Sequence, residues 1–319
     1  MRIASLLPAA TEIVTALGAA DRLVAVSFEC AEEARERCPV VVDTAIPSGL
    51  SPAEIDAWVR DRVARDLPMY ELDRAALAAL EPDLILTQDL CRVCALPAGT
   101  VEDACQLIGT DAEVLSVDPH TLDDVLRSIE EIGRAAGVPE AADALTGRLR
   151  DRLAYVARAV AGRPRPRVLV LEWTDPPYLA GHWVPELVQR AGGDPVAAAP
   201  GERSVAAEWD DLPVADVVVV APCGQGLDDA VAQCSTVAAR LPGVPLVAID
   251  SAGYVVQAGP GLVDGVEALA WALHPDALPP PPSGRIELSD DSILHIRTHV
   301  YGESVRRRSG VERPSSVTG

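Results

Sequence analysis

Short apolar runs alternate along this chain with stretches whose apolar residues recur every three or four positions. The runs fall at 3–7, 23–27, 84–87 and 113–117, then again at 167–172, 217–220 and 246–249. Bounded by turn residues, they read as buried strands of parallel sheets. The recurring patterns predict helices over 11–17, 52–64, 73–80, 101–107 and 121–136, then over 184–190, 228–240 and 261–273. In the clearest of these, Leu122, Val125, Leu126, Ile129 and Ile132 share one face. Ser51 followed by Pro52 marks a helix start, because serine caps and proline fits the first turn.

Between the two sets lies a longer helical stretch, 139–161, ended by Gly162 and Pro164. The pattern therefore predicts an α/β protein with two Rossmann-like lobes joined by a long helix and a ligand cleft between them. The expected division is an N-terminal lobe at 1–138, a connecting helix at 139–163 and a C-terminal lobe at 164–275. Beyond that the pattern stops. A tetraproline at 279–282 and a polar end carrying Arg306–Arg308 predict a flexible tail over 276–319.

Composition changes this picture in two ways. The net charge is −21, and all 27 basic residues are arginine. So acidic a chain lacks the basic face that nucleic acid or an anionic membrane requires, and neither is expected as a partner. The first apolar run is broken by Pro8, Thr11 and Glu12, too early for a secretory signal, and no stretch is long enough to span a membrane. The protein is thus expected to work in the cytoplasm, without direct membrane insertion. In a reducing compartment its 7 cysteines favour thiol, metal-ligand or redox roles over structural disulfides.

Four of those cysteines stand just past strand ends: Cys30, Cys91, Cys94 and Cys223. Ligands of open α/β sheets bind outside the carboxyl ends of the strands, so these thiols are candidates for one shared metal site. A four-thiolate set suits zinc or an iron–sulfur cluster. Cys91 and Cys94 form a CxxC, which also admits a local redox pair. Cys38, Cys105 and Cys234 read instead as small buried hydrophobes.

A second candidate wall is the segment 172–186, where Trp173, Asp175, Tyr178, His182 and Trp183 follow a strand. Its mixture of polar and aromatic groups suits contact with a small molecule. Pro176 and Pro177 stiffen it, and Gly181 permits close backbone approach. His182 and Glu186 are spaced as a metal or acid–base pair, although Glu186 also suits a helix N-terminus. Glu29, Tyr254 and Gln257 complete the expected ligand contacts. Glu12 is read as favouring its own helix N-terminus. The Gly259-Pro260-Gly261 run sets a helix start and is not a phosphate loop. No catalytic residue is assigned: neither a Ser–His–Asp arrangement nor a nucleophile elbow is present.

The opening RIASLLPAATEIVTALG and the later PDLIL resemble the class III periplasmic-binding-protein family, receptors for cobalamin and iron chelates. The likeness covers roughly Arg2 to His274, and the order lobe, long helix, lobe fits it. The segments SFEC, TQDLCRVC, EWTDPPYLAGHWVPE, APCG and GPGLVDGVEAL resemble a branch without a signal peptide often labelled cobalamin-binding. The resemblance implies a ligand-binding protein for cobalamin or another metal chelate, like the solute-binding components of ABC transporters. The expected cytoplasmic location makes a transporter a doubtful partner. The residues alone leave two alternatives open: a cytoplasmic metalloprotein or enzyme with a cysteine-ligated centre in the cleft, and a CxxC thiol redox protein.

Overall fold

The computed structural model describes residues 1–88, 99–101, 111–281 and 285–288. The first sheet is built from β1 (Ile3–Ser5), β2 (Leu23–Ser27), β3 (Val40–Thr44), β4 (Tyr70–Leu72), β5 (Leu84–Gln88) and β6 (Glu113–Val117). Their order is β4-β3-β2-β1-β5-β6, and every neighbouring pair is parallel except β3 with β4. The helices of this lobe are α1 (Pro8–Ala16), α2 (Glu32–Arg37), α3 (Pro52–Ala64), α4 (Arg74–Ala79) and α5 (Leu122–Ala135). The long helix α6 (Pro139–Val160) follows.

The second sheet comprises β7 (Arg167–Thr174), β8 (Pro177–Leu179), β9 (Asp194–Pro195), β10 (Val205–Ala206), β11 (Val217–Val220), β12 (Leu246–Ile249) and β13 (Ile286–Leu288). It is ordered β10-β8-β7-β11-β12-β13, with β9 beside β7. Here β7, β11 and β12 run parallel, while β8, β10 and β13 are antiparallel additions. Its helices are α7 (Val184–Arg190), α8 (Leu227–Arg240), α9 (Ser251–Tyr254) and α10 (Gly261–Leu273).

Strand alternation explains how both sheets are covered. Leu84 and Leu86 join the central core, whereas Ile85 faces the outer one; Val217 and Val219 likewise oppose Val218 and Val220. The central core runs without a break from Ile3 through Leu149 and Val156 of α6 to Leu273 of α10. The two lobes thus share one apolar interior, with α6 packed into it from both sides. Arg152 on α6 fastens that arrangement by ion pairs to Asp264 and Glu267 on α10. Among the described residues no helix is long and apolar enough to cross a membrane.

Two expectations need correction. The first strand stops at Ser5 and α1 begins at Pro8 rather than at Thr11, because proline is well suited to the first helical turn. The expected tail from 276 contributes β13, which pairs with the open edge of β12, and Arg285 forms an ion pair with Asp250. The expected helix over 101–107 lies, apart from Val101, outside the described residues.

Candidate functional site

Parallel strands direct their carboxyl ends to one edge of a sheet, and here the segments leaving those edges meet across the gap between lobes. From lobe one come α1 after β1, the start of α5, and the excursion between β3 and β4. From lobe two come the β7–β8 hairpin, the start of α7 and the start of α10.

The hairpin reaches furthest. Trp173 pairs across it with Tyr178, and both side chains engage α3 of the other lobe. The Trp173 indole N–H donates to the Pro52 carbonyl at 3.1 Å, and the Tyr178 hydroxyl donates to Asp56 Oδ1 at 2.9 Å. Arg60 holds the other Asp56 oxygen at 2.9 Å. Burial, together with the Asp56 carboxylate, pushes the Tyr178 phenol up, so it stays a donor. Asp175 stands exposed at the hairpin tip, before a cis bond to Pro176. Helix α3 forms here because Ser51 and Glu54 make a reciprocal capping box ahead of Pro52.

Two carboxylates tie the lobes reciprocally. Glu12 on α1 accepts the Gly261 N–H at 2.8 Å, at the start of α10 in the other lobe. Glu186 on α7 accepts the Leu122 N–H at 2.8 Å, at the start of α5 in the other lobe. Each lobe thus supplies an acceptor for an orphan donor, and a negative charge for the positive helix end, of its neighbour. Burial nonetheless pushes Glu12 up from 4.5 to about 7, only partly offset by the Gly261 hydrogen bond. Glu186 also binds Arg190, so it is committed to these partners and not paired with His182.

Glu29, just past β2, is accessible to solvent, yet the surrounding protein pushes its carboxyl up to about 7. His182 has a left-handed backbone (φ 53°), and its N–H donates to the Glu202 carbonyl at 2.5 Å. Its Nδ1 is buried with no hydrogen-bond partner. Burial first, then His120 and Arg203, push the imidazole below its ordinary value. A metal-bound histidine usually donates its second ring N–H to an acceptor. With Nδ1 unpartnered, the ring lacks that support. Gly181 meets the Arg203–Ser204 backbone so closely that a Cβ would collide with it.

Trp183 is core: it is 4% exposed and its indole N–H donates to the Val255 carbonyl at 2.8 Å. Tyr254 is buried beneath the Arg285 guanidinium, and Gln257 is half-buried between α9 and α10. Cys30 is 2% exposed and lies within the central core, its sulfur 3.1 Å from Thr11 Oγ1. Burial pushes this thiol up. Cys223 is exposed just past β11, where its N–H donates to the Glu172 carbonyl at 2.9 Å. Cys91, Cys94 and Cys105 lie outside the described residues. Among the described residues, no group of three or more His, Cys, Asp or Glu side chains is arranged to hold a metal ion. Cys38 is buried against the Leu23 carbonyl, and Cys234 is half-buried with its thiol pushed up to about 11.

Sequence reasoning missed Asp56 and Arg60, charged residues within a correctly placed helix whose partner, Tyr178, lies 122 positions from Asp56. A shallow groove of about 350 Å³, lined by Gln189 and residues 194–200, sits beside the amino-terminal end of β7, and its far end adjoins Gly201, whose N–H donates to the His182 carbonyl.

A family model described as "Periplasmic binding protein" matches residues 3–223. No curated protein sequence is similar enough to count as a match. Among solved structures, a periplasmic heme binding protein from Pseudomonas aeruginosa is 22% identical, with TM-score 0.61 over 90% of this chain and 97% of that one. The periplasmic vitamin B12 binding protein of Vibrio cholerae is 20% identical, with TM-score 0.61 over 84% and 94%. A periplasmic heme binding protein of Vibrio cholerae is 20% identical, with TM-score 0.62 over 86% and 99%. At such identities the likeness is one of fold.

Proposed function

The chain belongs to the periplasmic binding protein family, and from that premise we propose that it binds a small metal-containing ligand of the heme or cobalamin class in the cleft between its lobes. The observation that carries this reading is the meeting of strand-end segments from both lobes, where Trp173 and Tyr178 of the second lobe reach Pro52 and Asp56 of the first and Glu29 follows β2 at the same sheet edge. Such a mixture of aromatic and polar groups suits a large, mostly apolar ligand with polar substituents. The similar solved structures include heme-binding and vitamin B12-binding proteins, which supports a metal chelate as the ligand class. A cytoplasmic setting is part of the proposal, and recovery of the untagged protein from an exported or membrane-anchored fraction would overturn that part.

The test is titration of the purified protein with hemin and, separately, with aquocobalamin, followed by absorbance and calorimetry. Saturable binding of one of them, weakened about tenfold or more by Glu29→Ala, is expected. Failure of both to bind would reject this ligand class.

A second reading, a zinc or iron–sulfur centre on cysteines, draws on the exposed position of Cys223 past β11. The burial of Cys30 against Thr11 weighs against that residue as a ligand. Stoichiometric zinc, or iron with sulfide, in protein purified without oxygen would favour this reading over the first.

A further inference from the structure

The excursion between β3 and β4 leaves lobe one at the edge that faces the cleft. Thr44 pairs with Tyr70, and residues 45–69 between them carry α3 outward. None of the residues of α3 is buried, and Ile55, Trp58 and Val59 are only half covered. A helix of 13 residues without a buried face is marginal on its own, so its position depends on the few polar contacts it makes. Across the cleft those contacts are Trp173 to Pro52 and Tyr178 to Asp56 and Arg60, all from one hairpin of the opposite lobe.

The lobes themselves are held far more firmly. Glu12 and Glu186 cross between them in both directions, and the central core continues through α6. Elements with few buried contacts open at lower free energy than those built into a core. Of the two ways to admit a ligand, moving α3 therefore disturbs less than parting the lobes.

We propose that α3 is a gate over the interlobe cleft, latched by the Trp173 indole N–H on the Pro52 carbonyl and by the Tyr178 hydroxyl on Asp56. Ligand passes when the latch releases, while the lobes keep their relative position. The proposal rests on the reading of the cleft as the binding site. Arg60 pairs with Asp56 and also hydrogen-bonds Tyr178, so it belongs to the same latch.

Two measurements on the full chain test it. The first is hydrogen exchange without ligand, comparing wild type with Asp56→Ala, which removes the acceptor while favouring helix, and with Trp173→Phe. Amides of α3 should exchange faster than those of α5 and α10, and each variant should speed α3 alone by roughly fivefold, the usual worth of one hydrogen bond. Exchange in α3 as slow as in α5 and α10, or unmoved by both variants, would overturn the latch. The second is stopped-flow binding of hemin and of aquocobalamin. Asp56→Ala should raise association and dissociation rates by a similar factor, leaving Kd nearly unchanged. Unaltered rates in a variant whose α3 exchange has risen would overturn the gate. If neither probe binds, the ligand class fails and the exchange result alone decides the latch.

Discussion

Glu12 combines two opposed influences on one carboxyl group. The start of α10 offers it an N–H and a positive helix end, but burial wins and holds it at about 7 instead of 4.5. An acid whose folded value is raised contributes most to stability below its unfolded value, here about 4.5, and that contribution is lost as pH rises through about 7. Glu12→Gln keeps an oxygen acceptor for Gly261 and removes the ionisation. The variant should therefore melt higher than wild type at pH 8, by a margin worth roughly 1–3 kcal/mol, and the margin should vanish near pH 4. Thermal melts across that range decide it; a constant difference at all pH values would refute the assignment. Local sequence placed Glu12 at the start of its own helix, since its partner lies 249 positions away. Trp173 and Tyr178 were legible as groups at a strand end, but not their engagement with α3. Trp183, read as a ligand contact, is buried in the core, because aromatic type alone does not tell a wall from an interior.

At the scale of elements, periodic segments were the most readable. Helices α3, α7 and α10 and strands β2, β6, β11 and β12 coincide with the sequence pattern, whose signal rests on many residues at once. The short strands were not readable. Strand β4 has three residues and β13 another three, and each exists because a neighbouring strand offers an open edge. Such pairing is decided by the partner rather than by the strand's own propensity. Packing between α5 and α6 offers a sharper test of the element scale. Gly133 lies so close to Ala142 that an added Cβ would collide with the alanine methyl. Gly133→Ala should therefore destabilise by about 1–3 kcal/mol despite alanine's better helix propensity. Adding Ala142→Gly should recover part of the loss. Urea melts of the two single variants and the double variant check this, and additive losses would mean the helices are not in the contact described.

At the scale of the whole molecule, two sheets and a connecting helix would ordinarily behave as two weakly coupled units, since interfaces between domains tend to be small and polar. Here the coupling is of another kind. The central core includes Ile3 and Leu84 of one sheet, Leu149 and Val156 of α6, and Val219 and Leu273 of the other lobe. Removing either lobe would expose apolar surface on α6. The two crossed carboxylates add contacts that exist only when both lobes are folded. Unfolding should thus be a single cooperative event, with calorimetric and van't Hoff enthalpies in agreement. Two resolved transitions, or a lobe that survives proteolysis alone with native exchange protection, would contradict it. The same coupling bears on function. A protein that cannot part its lobes without opening its core must admit ligand through an element outside that core, and small-angle scattering should then give the same radius of gyration with and without ligand. A change as large as hinge closure between lobes would show that the core yields after all.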